Sequence, residues 1–198
     1  MAQEIAEVKQ TVQAKNPEKP VVFKLWFMDE SRFGLKTVLR RRITLRGVKP
    51  VMQIQNEYEN VYIFGAFAPA DGSSVIWEMP FLNGATFDHF LEALSVDPQA
   101  ANVHNILISD NAGAHHAKEL TAPENISLLF LPAYSPELNP AERVWEHMKA
   151  MFAGKIFTDI EDLSAYIEQV VKSLSDSIIH SLTSPDWVMD VVDAQLLT

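Results

Sequence analysis

The sequence predicts a mixed α/β fold: one sheet, part antiparallel and part parallel, with helices on its faces. Three observations point there. Sheet-forming segments cluster in the first eighty residues, strands and helices alternate after them, and that order belongs to layered α/β architectures. The strand candidates are runs of β-branched and aromatic residues bounded by turn residues. The chain has 198 residues, 47% of them hydrophobic, enough for a single sizeable core without staples.

Each element follows in order. Residues 2–16 place Ile5, Val8 and Val12 at helical spacing, and Asn16-Pro17 ends the pattern. Val21 to Met28 (VVFKLWFM) reads as a buried strand. Thr37 to Leu45 alternates as a second strand, broken by Gly47 and Pro50, with a resumption over Val51 to Gln55. Val61 to Ala68 is a further strand, and the Asp71-Gly72 turn leads into its return over Ser74 to Met79. Ala85 to Leu94 carries Phe87, Phe90, Leu91 and Leu94 on one helical face. Val103 to Ile108 is a buried strand ending in Ser109-Asp110-Asn111. A short helix is expected near residues 114–120, and Ile126 to Leu131 is a strand closed by Pro132. Residues 140–153 form a helix stopping at Gly154. Thr158-Asp159-Ile160-Glu161 has the pattern of a capping box opening a last long helix. Short helical pieces complete residues 176–198.

Composition excludes several functions. There is no cysteine, so disulfides, thiolate nucleophiles and thiolate metal sites are absent. The six histidines are scattered, with only His115 and His116 adjacent, which disfavours a histidine-rich metallohydrolase. The first twenty residues lack the apolar core of a signal peptide. No apolar run approaches a membrane span of roughly 20 residues. A cytoplasmic protein is expected.

The net charge is −10, which taken alone argues against a nucleic-acid partner. The mean hides a contrast. Residues 31–56 contain seven basic residues and no acidic one: Arg32, Lys36, Arg40, Arg41, Arg42, Arg46 and Lys49. Such a cluster can neutralise phosphates while the overall charge stays negative. It also fits a solvated strand face, or salt bridges to the acidic remainder.

Three acids stand out. Asp29 and Asp110 each follow an apolar strand run, where burial of a carboxylate is costly unless it is paired or binds a cation. A turn role for Asp29 and a helix-cap role for Asp110 are the plainer alternatives. Glu142 lies in Ser135-Pro136-Glu137-Leu138-Asn139-Pro140-Ala141-Glu142-Arg143-Val144-Trp145. Asn139 suits an N-cap and Pro140 the first helical position, so Glu142 falls where a capping-box acid would. Glu146, four residues on, repeats the charge along one face, and like charges at that spacing repel.

The string SPELNPAERVW, with Asp110-Asn111-Ala112-Gly113-Ala114-His115 and Met28-Asp29-Glu30-Ser31 upstream, resembles the DDE transposases of the mariner and related bacterial insertion-sequence superfamily. Leu45-Arg46-Gly47-Val48-Lys49-Pro50 matches a further segment of that family. The resemblance covers roughly residues 20–175. It implies a ribonuclease-H-like domain over residues 21–175, with a five-stranded mixed sheet. Residues 1–20 would be a helix or linker remnant, and residues 176–198 a helical extension of the same domain.

The resemblance further implies an acidic triad of Asp29, Asp110 and Glu142. These would hold two divalent ions, normally Mg2+ with Mn2+ as a substitute, and Asp29 would bridge them. Magnesium prefers hard oxygen ligands, and two ions can serve both the attacking and the leaving oxygen of a phosphodiester. The implied activity is hydrolytic cleavage at transposon ends, then 3′-hydroxyl strand transfer into target DNA. Arg40, Arg41, Arg42, Arg46, Lys49 and His115 are the expected DNA contacts, with Glu30 and Asn111 in support. Trp145, with Val144, Met148 and Phe152, is expected in the core. DNA is the expected partner, a homodimer the expected assembly, and a helix-turn-helix DNA-binding segment is supplied by another chain or lost. The alternatives are a non-catalytic transposase-derived DNA-binding or dimerisation module, and a structure-specific nuclease of the same fold.

Overall fold

A computed structural model describes residues 1–41, 43–49, 51–110, 122–133 and 135–196, without the side chains of the last two. The strands are β1 (Phe23–Gly34), β2 (Asn60–Phe67), β3 (Ser74–Met79), β4 (His104–Ser109) and β5 (Ile126–Phe130). The helices are α1 (Ala2–Lys15), α2 (Gly84–Val96), α3 (Ala141–Met151), α4 (Ile160–Ser173), α5 (Asp176–Thr183) and α6 (Asp186–Leu196). The five strands form one sheet in the order β3-β2-β1-β4-β5. β1, β2 and β3 pair antiparallel, while β4 lies parallel to both β1 and β5. The mixed five-stranded sheet expected from the sequence is the one observed.

The period-2 alternation of strands sorts the core into two layers. Trp26 and Met28 of β1, Phe64 and Ala66 of β2 and Leu107 of β4 pack on one face under α2, against Phe87, Phe90, Leu91 and Leu94. The other face is split. Leu25, Phe27, Ile106 and Ile108 pack with Ile5 of α1 and Val188 and Val192 of α6. Phe33, Ile63 and Phe67 pack with Val144, Trp145 and Met148 of α3 and with Leu163 and Ile167 of α4. Between Phe27 and Phe33 the same face of β1 carries two polar residues, Asp29 and the buried Ser31. Ile5 is fully buried, so α1 is part of the packed domain. Among the described residues no helix is long and apolar enough to cross a membrane.

Several elements depart from expectation. β1 does not stop at Met28 but runs six residues further, to Gly34, because β2 pairs with it along that whole stretch. Among the described residues, no strand forms over Thr37 to Leu45 or over Val51 to Gln55. Among the described residues there only Val38 bridges, to Ala153, while Ile43, Leu45 and Val51 are more than 80% exposed. Alternation is present there, but no neighbouring strand offers a ladder. The feet of this long excursion are pinned. Thr37 and Gln55 exchange two hydrogen bonds, and the Gln55 side chain bonds both the N–H and the C=O of Phe157. The capping box expected at the start of α4 is not formed: the N-cap is Asp159, one residue later than the pattern placed it, and the return bond comes from the residue before it. Asp159 accepts from the Asp162 N–H, and Asp162 accepts from the Thr158 N–H. The helix expected near residues 114–120 lies outside the described residues.

Candidate functional site

The parallel β1–β4 ladder ends at the Phe27–Ile108 pair. Asp29 and Asp110 are each two residues beyond that pair, so extending the register sets them abreast at the carboxyl end of the parallel strands. Sites collect at such ends in open α/β sheets. Asp29 therefore does not sit where β1 stops, as expected, but where its parallel neighbour stops. Its other edge remains paired, with Gly65 of β2 opposite. Asp110 is exposed and is the first residue past β4.

Helix α3 crosses this end of the sheet. Ala141, Val144, Trp145 and Met148 are buried at the i, i+3, i+4, i+7 spacing of an apolar helical stripe. Glu142 is exposed, just off the stripe. The capping-box role considered for Glu142 is not formed. The helix is preceded by Pro140 with helical dihedrals and no side-chain cap. Asn139 instead accepts from the Ala141 N–H at 3.1 Å. Its amide donates to the Met28 main-chain oxygen at 2.9 Å, which fastens the start of the helix to β1 beside Asp29. One turn on, the Trp145 indole donates to Asp29 Oδ2 at 3.0 Å.

The electrostatics follow from this geometry. Burial pushes the Asp29 carboxyl from its usual 3.8 up to about 8, and the negative charges of Glu142, Glu30 and, less strongly, Asp110 push the same way. A hydrogen bond from the Glu30 backbone amide opposes them. Both other acids of the expected triad thus act on Asp29 through space. Crowded carboxylates short of positive charge raise proton affinity, and a bound cation would offset the same deficit. The donor set is all oxygen, which suits a hard divalent ion. As the side chains stand, no three Asp, Glu or His among the described residues close tightly enough to grip one ion.

Beside Glu142 opens a cleft of about 370 Å³ bordered by Pro136, Asn139, Arg143, Glu146 and Trp187. A larger cavity, of about 790 Å³, lies between α1 and the start of β1, lined by Lys9, Gln13, Val22 and Phe23. It holds no acidic group and is away from the acids, so chemistry rather than size marks the site.

The basic segment lies partly along α3. Arg40 donates to the Glu146 main-chain oxygen at 3.2 Å, one turn beyond Glu142. Arg41, Arg46 and Lys49 are exposed. Arg42, Asn111 and His115 fall outside the described residues. Glu30 is half-buried next to Asp29. Trp145 is 1% exposed, in the core as expected, but its N–H to Asp29 was not legible. Gly65 was missed altogether. A Cβ there would lie 2.7 Å from the Trp145 ring and 2.6 Å from Phe67, so the bare glycine makes room for the indole that reaches Asp29. The spacing of Glu142 and Trp145, three residues apart on one helix, was the available signal.

Residues 24–164 match the family profile described as DDE superfamily endonuclease. Uncharacterized protein y4pE/y4sA of Sinorhizobium fredii is 40% identical over 105 residues, 52% of this chain and 76% of that protein. The Transposable element Tcb2 transposase of Caenorhabditis briggsae is 26% identical over 190 residues, 85% of this chain and 67% of that protein. Among solved structures, the Mos1 Strand Transfer Complex aligns with a TM-score of 0.64 at 15% identity, covering 99% of this chain and 62% of the Mos1 chain. A Mos1 mariner paired-end complex with Mn also gives 0.64, at 14% identity, covering 98% and 62%. At these identities the likeness is one of fold, and the fold is ribonuclease-H-like. The chain spans about three fifths of the Mos1 length.

Proposed function

We propose, from the premise that the chain belongs to the DDE superfamily endonuclease family, that it is the metal-dependent catalytic domain of a transposase. Its reaction is hydrolytic cleavage of DNA phosphodiesters at transposon ends, followed by transfer of the freed 3′ hydroxyl to target DNA. The observation that carries this reading is Asp29. It is a carboxyl set at the end of the parallel ladder, fixed by Trp145, and pushed up to about 8 by burial and by the charges of Glu142, Glu30 and Asp110. A structural acid in a core seam is found with a cation or with enough donors to hold its charge, and Asp29 has acids for neighbours.

Asp29, Asp110 and Glu142 would hold the divalent ions. Bound there, Mg2+ or Mn2+ supplies neutralisation of phosphate charge and a more acidic bound water. The chain's own residues do the rest. Asp29 gives up its proton when a cation takes that place, so ion binding releases a proton near neutral pH. Glu142 faces the open cleft, where a DNA strand has room. Arg41, Arg46 and Lys49, exposed on the excursion between β1 and β2, neutralise backbone phosphates and orient the strand without reading its bases. Arg40 ties that excursion to α3. End recognition by a helix-turn-helix DNA-binding segment, and assembly as a homodimer, complete the proposal.

The test is nicking of supercoiled plasmid with Mn2+ or Mg2+. Wild type nicks in the metal and stops in EDTA. Asp110→Asn falls by about 10³-fold, the order expected when several kcal/mol of charge stabilisation is lost. Equal nicking by both proteins would defeat the reading.

A further inference from the structure

We infer that Asn139 and Trp145 are positioning residues: together they clamp α3 onto β1 at two adjacent points and so fix how Asp29 and Glu142 face each other. This rests on the reading above and adds to it the residues that set the site's geometry. Asn139 is 4% exposed and uses both ends of its amide. Nδ2 donates to the Met28 oxygen at 2.9 Å, and Oδ1 accepts from the Ala141 N–H at 3.1 Å. Trp145 donates to Asp29 Oδ2 at 3.0 Å. Glu142 lies between them on the chain, three residues from each. On a helix, residues at i and i+3 are neighbours, so Glu142 and Trp145 share one side of the first turn.

The clamp contacts consecutive residues of β1, the backbone of Met28 and the side chain of Asp29. A helix held at one point can roll or slide. Held at two points, at Asn139 just before its first turn and at Trp145 six residues on, it can do neither without breaking a hydrogen bond, which leaves a polar group unpaired. Gly65 serves the same end from the other strand. It lies opposite Asp29, and a side chain there would run into the Trp145 ring. The indole holds Asp29 Oδ2, and the Glu30 backbone N–H also bonds this carboxyl, so its orientation is set from two sides. Partners that orient a metal-binding carboxylate in this way are typically worth about 10–100-fold in metal affinity.

Trp26 supplies an internal control. It is also fully buried, also on the β-sheet core, and its indole also donates to a side chain, Asn105 Oδ1 at 2.8 Å. Mn2+ affinity is measured by calorimetry for wild type, Trp145→Phe and Trp26→Phe, with thermal melts for each. The expected result is a loss of about tenfold or more in Trp145→Phe, with Trp26→Phe unchanged in affinity although it also loses stability. Equal effects from the two substitutions, or none from either, overturn the inference and leave the catalytic reading standing. Absence of Mn2+ binding by wild type overturns both. A second measurement needs no variant fold. In the wild-type 15N spectrum, the Trp145 indole N–H resonance shifts on Mg2+ addition while the Trp26 indole does not. Two unmoved indoles in a protein that binds Mg2+ also overturn it.

Discussion

Asp29→Asn is expected to stabilise the metal-free protein, and increasingly so as pH rises. The carboxyl's affinity for its proton moves from 3.8 to about 8 on folding. A raised value in the folded state means the folded protein holds the proton while the unfolded chain releases it. Stability from this group is therefore complete below the unfolded value, is lost as pH climbs towards about 8, and falls no further above it. The loss accumulates at about 1.4 kcal/mol per pH unit, with a ceiling of roughly 6 kcal/mol across the whole interval. Asparagine keeps the shape, still accepts from Trp145, and does not titrate. Urea unfolding in EDTA at about pH 5 and about pH 8.5 checks the difference. The variant's advantage over wild type should widen by several kcal/mol between the two. Saturating Mg2+ should then stabilise wild type at the higher pH, because an ion that binds only the folded state adds stability, and should do so much less for the variant. A pH-independent difference between the two proteins would refute the crowding of acids at Asp29.

Other expectations are simpler. Gly65→Ala forces a Cβ against the Trp145 and Phe67 rings and should cost about 1–3 kcal/mol, seen as a lower urea midpoint with an unchanged slope. Replacing Arg41, Arg46 and Lys49 together with glutamine should flatten the salt dependence of DNA binding by about two to three units of log–log slope. It should leave thermal stability nearly unchanged, since all three side chains are exposed. An unchanged slope in a titration from low to moderate salt would remove those residues from the DNA path.

The strands with apolar runs and clear turns were legible, because buried strands need β-branched and aromatic side chains on both faces. VVFKLWFM, VYIFGAFA and NILIS all became central strands. The continuation of β1 through Asp29-Glu30-Ser31-Arg32 was not legible. Its polar residues hide a strand whose backbone is satisfied by β2 and whose Asp29 faces the α3 seam. The reverse error occurred over Thr37 to Leu45. Local alternation is only half of a strand, and the pairing partner was missing. Asp29 and Asp110 stood out because each follows an apolar strand run, and the resemblance of the surrounding strings joined them with Glu142 as a triad. Their relation became physical only when the register set Asp29 and Asp110 abreast. Trp145 and Asn139 read as core and cap; Trp145 packs in the core, while Asn139 accepts from the Ala141 N–H from one residue before the N-cap Pro140. Their second hydrogen bonds, to Asp29 and to Met28, depend on how the helix crosses the sheet, which no local pattern encodes.

Anomalous diffraction from crystals soaked in Mn2+ tests the central claim most directly. The account predicts two peaks at the carboxyl end of the β1–β4 ladder, both within ligand distance of Asp29, one shared with Asp110 and the other with Glu142. Peaks elsewhere on the molecule, or carboxylates that stay apart while the ion binds, would contradict it.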